Sequence, residues 1–331
     1  MIASVKMQED FNGLTNVSAR FHQNSTEFNI FVDPLVWTAK EAGTDCWAEG
    51  IISDSSFISN NLEQIDFGWN VGLRIGAGYG MKHDQWDTRL FYTLFRTQGN
   101  DHASRGAGSM HSSFLGNFYV GNPEGAGITG PSYESASIRW TIRFQMFDWD
   151  LGRKFWASES LALRPFMGIK GGLIHQFIHS KWYKPNLTGT DFFNLGIENI
   201  KNNFWGIGPQ VGIDTKWVLS AGKRHCFSIF DDISGALMYG HWAFSDVFDN
   251  DINQKIVIDS QPLNGGASMV RVFSGLEWNA DVKQDCYRFS TKVGYEMQFW
   301  LNQLQFYSFT GGRLGNQLTL QGVTLEFCCD F

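Results

Sequence analysis

No stretch of this 331-residue chain approaches the roughly 20 consecutive apolar residues that a membrane-spanning helix requires. Even its oiliest segments are interrupted at every second residue. With 43% hydrophobic residues and a mean hydropathy of -0.21, a helical membrane protein is excluded. Basic character is missing as well: a net charge of -7 and a pI near 5.6 leave no footprint for nucleic acid. Proline is scarce at 7 residues, and the 5 cysteines show no zinc-site spacing. The opening residues MIASVKMQED lack the apolar core of a secretory signal, so Met1 is expected to begin a mature form whose signal has been removed.

Glycine and aromatics are abundant: 36 Gly, 29 Phe and 13 Trp. They are arranged with a period of two. In DFGWNVGLRIGAGYG (66–80) the odd positions Phe67, Trp69, Val71, Leu73, Ile75, Ala77 and Tyr79 are apolar, while the even ones are polar, charged or glycine. The same alternation starts again at Trp86, Ala136, Leu161, Trp205 and Tyr287. These are strands, since successive side chains of a strand point to opposite faces. Many exceed the mean soluble strand of about 5–6 residues and match the roughly 9–11 that cross a bilayer at a tilt. A soluble sandwich or barrel would place Lys, Glu and Thr on its polar face, whereas here that face is rich in glycine.

Connections alternate between short ones, near 41–45, 80–84, 152–158, 220–224 and 283–285, and longer ones, near 53–65, 99–131, 182–203, 246–265 and 302–315. Short turns are expected at the periplasmic end and long loops outside. Strands are expected to start near residues 26, 45, 66, 85, 134, 160, 204, 225, 267, 286 and 316. The first would then run inward, so one more is expected in Thr15–Phe21 to make the count even. The expected fold is all-β: a transmembrane antiparallel up-and-down β-barrel of about 12 strands, in a range of about 10–16. Residues 1–25 form an N-terminal segment that includes the extra strand, and 26–331 form the barrel, with a long outer loop at 99–132. Trp69, Tyr79, Trp86, Trp205 and Trp217 are expected at the membrane interfaces.

The segments GWNVGLRIGAGYGMKHDQWDTRLFYTLFR (68–96), LALRPFMGIKGGLIHQ (161–176), FWGIGPQVGIDTKWVL (204–219) and the closing LTLQGVTLEFCCDF (318–331) carry a resemblance. The chain resembles the Legionella-type major outer membrane protein family, which is similar in role to chlamydial major outer membrane porins. The terminal strand ending in Phe331 also looks like the signal read by outer-membrane assembly machinery. The resemblance implies a general-diffusion porin of the bacterial outer membrane, multi-pass and abundant, commonly a homo-oligomer such as a trimer, set among outer-membrane lipids.

Charges expected to line the pore are Arg74, Arg89, Arg139, Arg143, Arg164, Lys170, Lys216, Arg271, Arg288 and Lys292, against Asp66, Asp87, Asp214, Asp232, Glu277 and Glu296. Charges facing water set a field along a pore. The barrel is expected to pass small hydrophilic solutes or ions passively, by size exclusion and ion transport without covalent chemistry, and the basic excess predicts a weak anion preference. In the bland reading the same charges pair and brace the wall. The long loop, with SSFLGNFYV at its centre, is expected to fold into the mouth; a plain surface loop is the alternative. The rival function is a plugged barrel acting through its outer loops as an adhesin or receptor.

Cys46, Cys226, Cys286, Cys328 and Cys329 are all expected at the periplasmic rim. Their odd number leaves at least one thiol for a disulfide bond to a neighbouring envelope protein. No cofactor is expected. GLRIGAGYG lacks the dinucleotide-binding pattern and its strand-to-helix setting. His175 and His179 would lie roughly 13 Å apart along a strand, too far for one ion. His83 and Asp84 fall in a tight turn. Asp101, His102, Ser109 and His111 lie in loop sequence with no catalytic spacing, so no enzyme activity is expected.

Overall fold

The structure, a computed structural model, describes residues 28–42, 46–54, 57–81, 84–105, 110–113, 132–185, 193–222, 224–259, 261–282, 287–308 and 312–331. In chain order its strands are β1 (Phe28–Ala42), β2 (Cys46–Asp54), β3 (Phe57–Gln64), β4 (Asn70–Gly80), β5 (Trp86–Ser104), β6 (Met110–Ser112), β7 (Ser135–Arg153) and β8 (Phe155–Trp156). They continue as β9 (Leu161–Tyr183), β10 (Leu195–Ala221), β11 (His225–Asn250), β12 (Lys255–Asp259), β13 (Leu263–Val282), β14 (Tyr287–Ser308) and β15 (Gly312–Asp330).

Twelve of these form one sheet, and ten of the twelve close on themselves as antiparallel staves in the order β1, β4, β5, β7, β9, β10, β11, β13, β14, β15. The seam is β1 against β15, in register from Asn29 opposite Asp330 to Ala42 opposite Gln317. Closure leaves no stave edge unpaired, which a sheet in lipid requires. β8 and β12 are short additions to β9 and β11. β3, β2 and β6 make a separate three-stranded sheet.

The strand expected near residue 45 is therefore not a stave. β2 belongs to the small sheet, and the chain from 43 to 69 is one connection between β1 and β4. Removing it restores even parity, with β1 starting at the same end as the C-terminus and running outward, opposite to the expected direction. The Thr15–Phe21 candidate lies outside the described residues. Residues 41–45 are not a short turn: Glu41 and Ala42 end β1, and the long connection follows them. The short connections 81–85, 154–160, 222–224 and 283–286 all fall at the end that holds Phe28 and Phe331. At the other end lie the connections 43–69, 105–134, 184–194 and 251–262, together with 309–311, which is brief because β14 and β15 extend far beyond the expected limits.

Outward side chains form an apolar belt: Val71, Leu73 and Ile75 on β4, Leu90, Tyr92 and Leu94 on β5, Met167, Ile169 and Leu173 on β9, and Ile229, Ile233 and Leu237 on β11 are all exposed. Trp69, Tyr79, Trp205 and Trp217 are exposed too. Beyond the belt the staves continue outward with polar exteriors, as in Arg96, Gln98, Asn100 and His102 of β5. The alternation of 66–80 begins in the structure only at Asn70. Asp66 Oδ1 accepts from the Gly68 N–H at 2.9 Å, and Gly68 takes a φ of 60° that side chains disfavour. This turn reverses the faces, so Phe67 is buried while Trp69 points out.

Candidate functional site

The interior has two layers, one dominated by charges and one by aromatic and aliphatic side chains with Glu41, Glu198 and Asp246 buried among them. Toward the short-turn end it is a network of charges. Glu296, fully buried on β14, accepts from Arg74 Nη2 of β4 at 2.7 Å and from Arg271 Nε of β13 at 2.7 Å. It also accepts from Thr324 Oγ1 at 3.0 Å and Gln298 Nε2 at 2.9 Å. Arg74 Nη1 reaches Asp33 at 3.4 Å, and its guanidinium lies over the Trp37 ring. Arg164 of β9 joins Asp87 and Asp150 and reaches Asp214 Oδ2 at 3.1 Å, where Arg89 also donates at 3.1 Å. Lys170 meets Asp148 at 2.5 Å, Lys216 meets Glu277 at 2.9 Å and Arg288 meets Asp281 at 3.0 Å. Lys292 lies between Asp232 at 3.4 Å and Glu326 at 3.3 Å. Period-two strands bring these groups together because every second residue of each stave must project inward.

The structure thus places Arg74, Arg89, Arg164, Lys170, Lys216, Arg271, Arg288, Lys292, Asp87, Asp214, Asp232, Glu277 and Glu296 inside, each in contact with an opposite charge. Arg139 and Arg143 point outward instead, and Asp66 is exposed outside any strand. On β7 the even positions face the interior over the whole strand: Ala136, Ile138, Trp140, Ile142, Phe144 and Met146 are buried there, followed by Asp148 and Asp150. The faces are opposite to those expected because the interior that β7 meets at the outer end is mostly apolar. The same inversion hid Asp148 and Asp150 from sequence reading. Their signal was the DWD alternation of 148–150, continuing the Ala136–Met146 phase. Asp33 and Glu326 carry a similar signal, sharing the phase of Trp37 and Thr324 on their strands. With these acids added, carboxylates outnumber the cations of the network, and the basic excess behind the expected anion preference disappears.

Around the network lies a cavity of about 260 Å³ at the short-turn end, lined from Met81, Gln85, Lys154 and Trp156 up to Arg89, Asp214 and Lys292. A second cavity of about 60 Å³ lies among Asp33, Arg74, Asp148, Lys170 and Gln298.

The outer layer is a packed core. Trp37, Trp140, Trp182, Trp242, Trp300, Phe144 and Phe204 are buried almost completely. Phe144 of β7 meets Trp300 of β14 edge-on at 5.4 Å between ring centroids, and Trp140 meets Phe306 at 6.0 Å. β7 and β14 are diametrically opposite in the stave order. Between Trp300 and Leu304 the β14–β15 register shifts, with Asn302 at a φ of 55°. This bulge sends Gln303 across the interior, where its carbonyl accepts from Trp242 Nε1 at 2.6 Å and its Oε1 from Gln176 Nε2 at 2.9 Å. Gln176 also donates to Glu41 at 2.6 Å. Above this core the small sheet covers the mouth: Trp47 of β2 donates to Asp101 Oδ2 at 2.7 Å and packs on Trp182 at 5.8 Å. β6 supplies Met110, fully buried. Residues 106–109 and 114–131 of the loop expected to enter the mouth lie outside the described residues.

Cys226 and Cys328 line the larger of these cavities, and Cys329, next to Cys328 in sequence, is on the outward face. Cys46 is at the opposite end, 3.6 Å from Ser113 Oγ, not at the short-turn rim as expected. It moves because β2 left the barrel. Cys286, Ser109 and His83 lie outside the described residues. Asp101 and His102 point to opposite faces of β5. His175 and His179 are outward, each bonded to an asparagine of β10, at 2.7 and 2.8 Å. Among the described residues no cluster of His, Cys, Asp and Glu has the arrangement of a metal site.

A closed barrel with an exposed apolar belt, short turns at one end and both described termini at that end is an outer-membrane β-barrel protein. Residues 22–331 match the family of the Legionella pneumophila major outer membrane protein precursor, and the chain belongs to that family, which places it in the bacterial outer membrane. No curated protein matches it. Similar solved structures include the outer membrane protease OmpT from Escherichia coli, at 9% identity and a TM-score of 0.41, covering 92% of this chain and 96% of that one. A Pseudomonas aeruginosa FadL homologue is similar at 10% identity and a TM-score of 0.32, covering 93% and 91%. The P. putida toluene transporter TodX is similar at 10% and 0.28, covering 95% and 92%. At such scores the likeness says nothing of function.

Proposed function

We propose that this protein is a barrel closed at rest, acting as an adhesin or receptor through the outer rim that rises above the lipid belt. The contact between Phe144 and Trp300 carries this reading, since it joins opposite staves at the centre of a core in which Trp140, Trp182, Trp242 and Phe204 are also buried almost completely. Barrels of about 8 strands are just wide enough for side chains to fill, and those of about 16–18 leave a channel. Ten staves stand near the filled limit. Single-channel recording of the detergent-purified, refolded chain in a planar bilayer tests it. A folded, inserted and silent protein supports the reading; stable steps that scale with salt overturn it.

A second reading, a diffusion porin for small hydrophilic solutes, is favoured by the cavity of about 260 Å³ with its lining of Arg89, Arg164, Lys216 and Lys292. It requires the β14 segment around Asn302 to swing outward and take Gln303 and Phe306 with it. The register shift makes this segment the irregular part of that wall. Neither reading involves covalent chemistry.

A further inference from the structure

Above the apolar belt the outward faces of β5, β7, β9 and β10 hold basic side chains in register. Arg96 on β5 stands directly opposite Arg143 on β7, and Arg143 opposite His175 on β9. Farther out, Arg139 stands opposite His179, and Lys201 of β10 opposite Phe177. Like charges directly opposite one another across strands destabilise a sheet. Among the described residues no ion pair offsets this: none of Arg96, Arg139, Arg143 or Lys201 is joined to a carboxylate. Arg139 Nε instead donates to the neutral Asn100 Oδ1 at 3.2 Å. The pair is open to an anion from outside the chain.

The depth of the patch identifies the kind of anion. One outward position inward from Arg96 is Leu94, from His175 is Leu173 and from Asn203 is Trp205, all exposed and apolar. On β7 the change falls between Gln145 and Phe147. The row therefore lies at the outer edge of the lipid belt, on the long-loop side, level with the headgroups of the outer leaflet. Guanidinium groups recognise phosphate in two-pronged fashion, and two of them facing each other bracket one phosphate.

We propose that this patch binds the phosphates of a phosphorylated glycolipid of the lipid A type in the outer leaflet, with Arg96 and Arg143 on the phosphate and the acyl chains running down over Leu94, Phe147 and Leu173. The glycolipid relieves the like-charge pair and seats the barrel in its membrane.

The test is titration of the full, refolded chain in detergent with bisphosphorylated lipid A, with the same lipid after removal of both phosphates, and with inorganic phosphate, read by native mass spectrometry. Wild type is expected to bind the phosphorylated lipid at least tenfold more tightly than the dephosphorylated one, and inorganic phosphate far more weakly. The double variant Arg96→Gln/Arg143→Gln is expected to lose most of that preference. Arg153→Gln, on the same stave at the short-turn end, is expected to keep it. Folded mobility on an unheated gel qualifies each variant, and the single Arg143→Gln, expected to lose part of the preference, replaces the double if that does not fold. Equal affinity for the two lipids, a preference that survives in the folded variants, or inorganic phosphate binding as tightly as the lipid would each overturn the proposal.

Discussion

Phe144 and Trp300 stand on diametrically opposite staves with ring centroids 5.4 Å apart and planes at 77°. A contact that normally joins neighbours in a core here joins the two walls of a cylinder. The outer half of the barrel is thus organised as a globular core wrapped by its own sheet, over a lower half of paired charges.

Removing this contact should affect both stability and conductance. Trp300→Ala deletes a fully buried indole and is expected to cost about 3–5 kcal/mol in unfolding free energy, read by urea titration in lipid vesicles. The double variant Phe144→Ala/Trp300→Ala is expected to show conductance steps absent from wild type. A silent double variant would show that closure does not depend on this pair.

Glu296 is the hub of the charge network, with Arg74 and Arg271 both at 2.7 Å. Glu296→Gln leaves two guanidinium groups without their shared carboxylate inside the barrel, a loss expected to be about 3–5 kcal/mol. Glu134→Gln, which faces the exposed Lys184 at 3.0 Å at the outer end, is expected to cost less than about 1 kcal/mol. Equal losses would mean that water screens the hub as well.

Gly168 faces inward on β9 opposite Asp150, and a Cβ there would stand 1.9 Å from the Trp149 carbonyl oxygen. Backbone cannot yield as a flexible side chain does, so Gly168→Ala is expected to cost about 1–3 kcal/mol. The temperature at which the folded band disappears on a semi-native gel should fall. An unchanged temperature would place the strands farther apart than described.

Cys46 and Cys226 lie at opposite ends of the barrel, so labelling distinguishes the two faces. A membrane-impermeant maleimide applied to intact cells is expected to react with wild type and not with Cys46→Ser. Labelling of Cys46→Ser at the wild-type level would mean that the short-turn end faces outward.

Interior and exterior were both legible in part. Gly72, Arg74 and Gly76 alternating with Val71, Leu73 and Ile75 specify a strand with two unlike faces, and on β4 the apolar face is the exposed one. On β7 the same kind of alternation has its faces exchanged at the outer end. Along that strand Ile138, Trp140 and Phe144 fill the interior, while Arg139 and Arg143 meet water above the belt; lower down Asp148 and Asp150 are inside, and Phe147 and Trp149 meet lipid. The exchange of polarity between Met146 and Phe147 marks the membrane edge and could have been found in the sequence by following one phase to its end.

The sequence by itself determined the strands, their period, the closed antiparallel class and the outer-membrane setting, because a two-residue repeat is a local property that backbone geometry imposes. Only the tertiary structure decided that β2 leaves the barrel, that ten staves suffice, and that opposite walls touch. Those outcomes depend on the radius at which the sheet closes, and the radius is set by contacts such as Phe144 with Trp300 and Arg74 with Glu296, between residues far apart in the chain. No local pattern encodes which side of a strand will find such a partner.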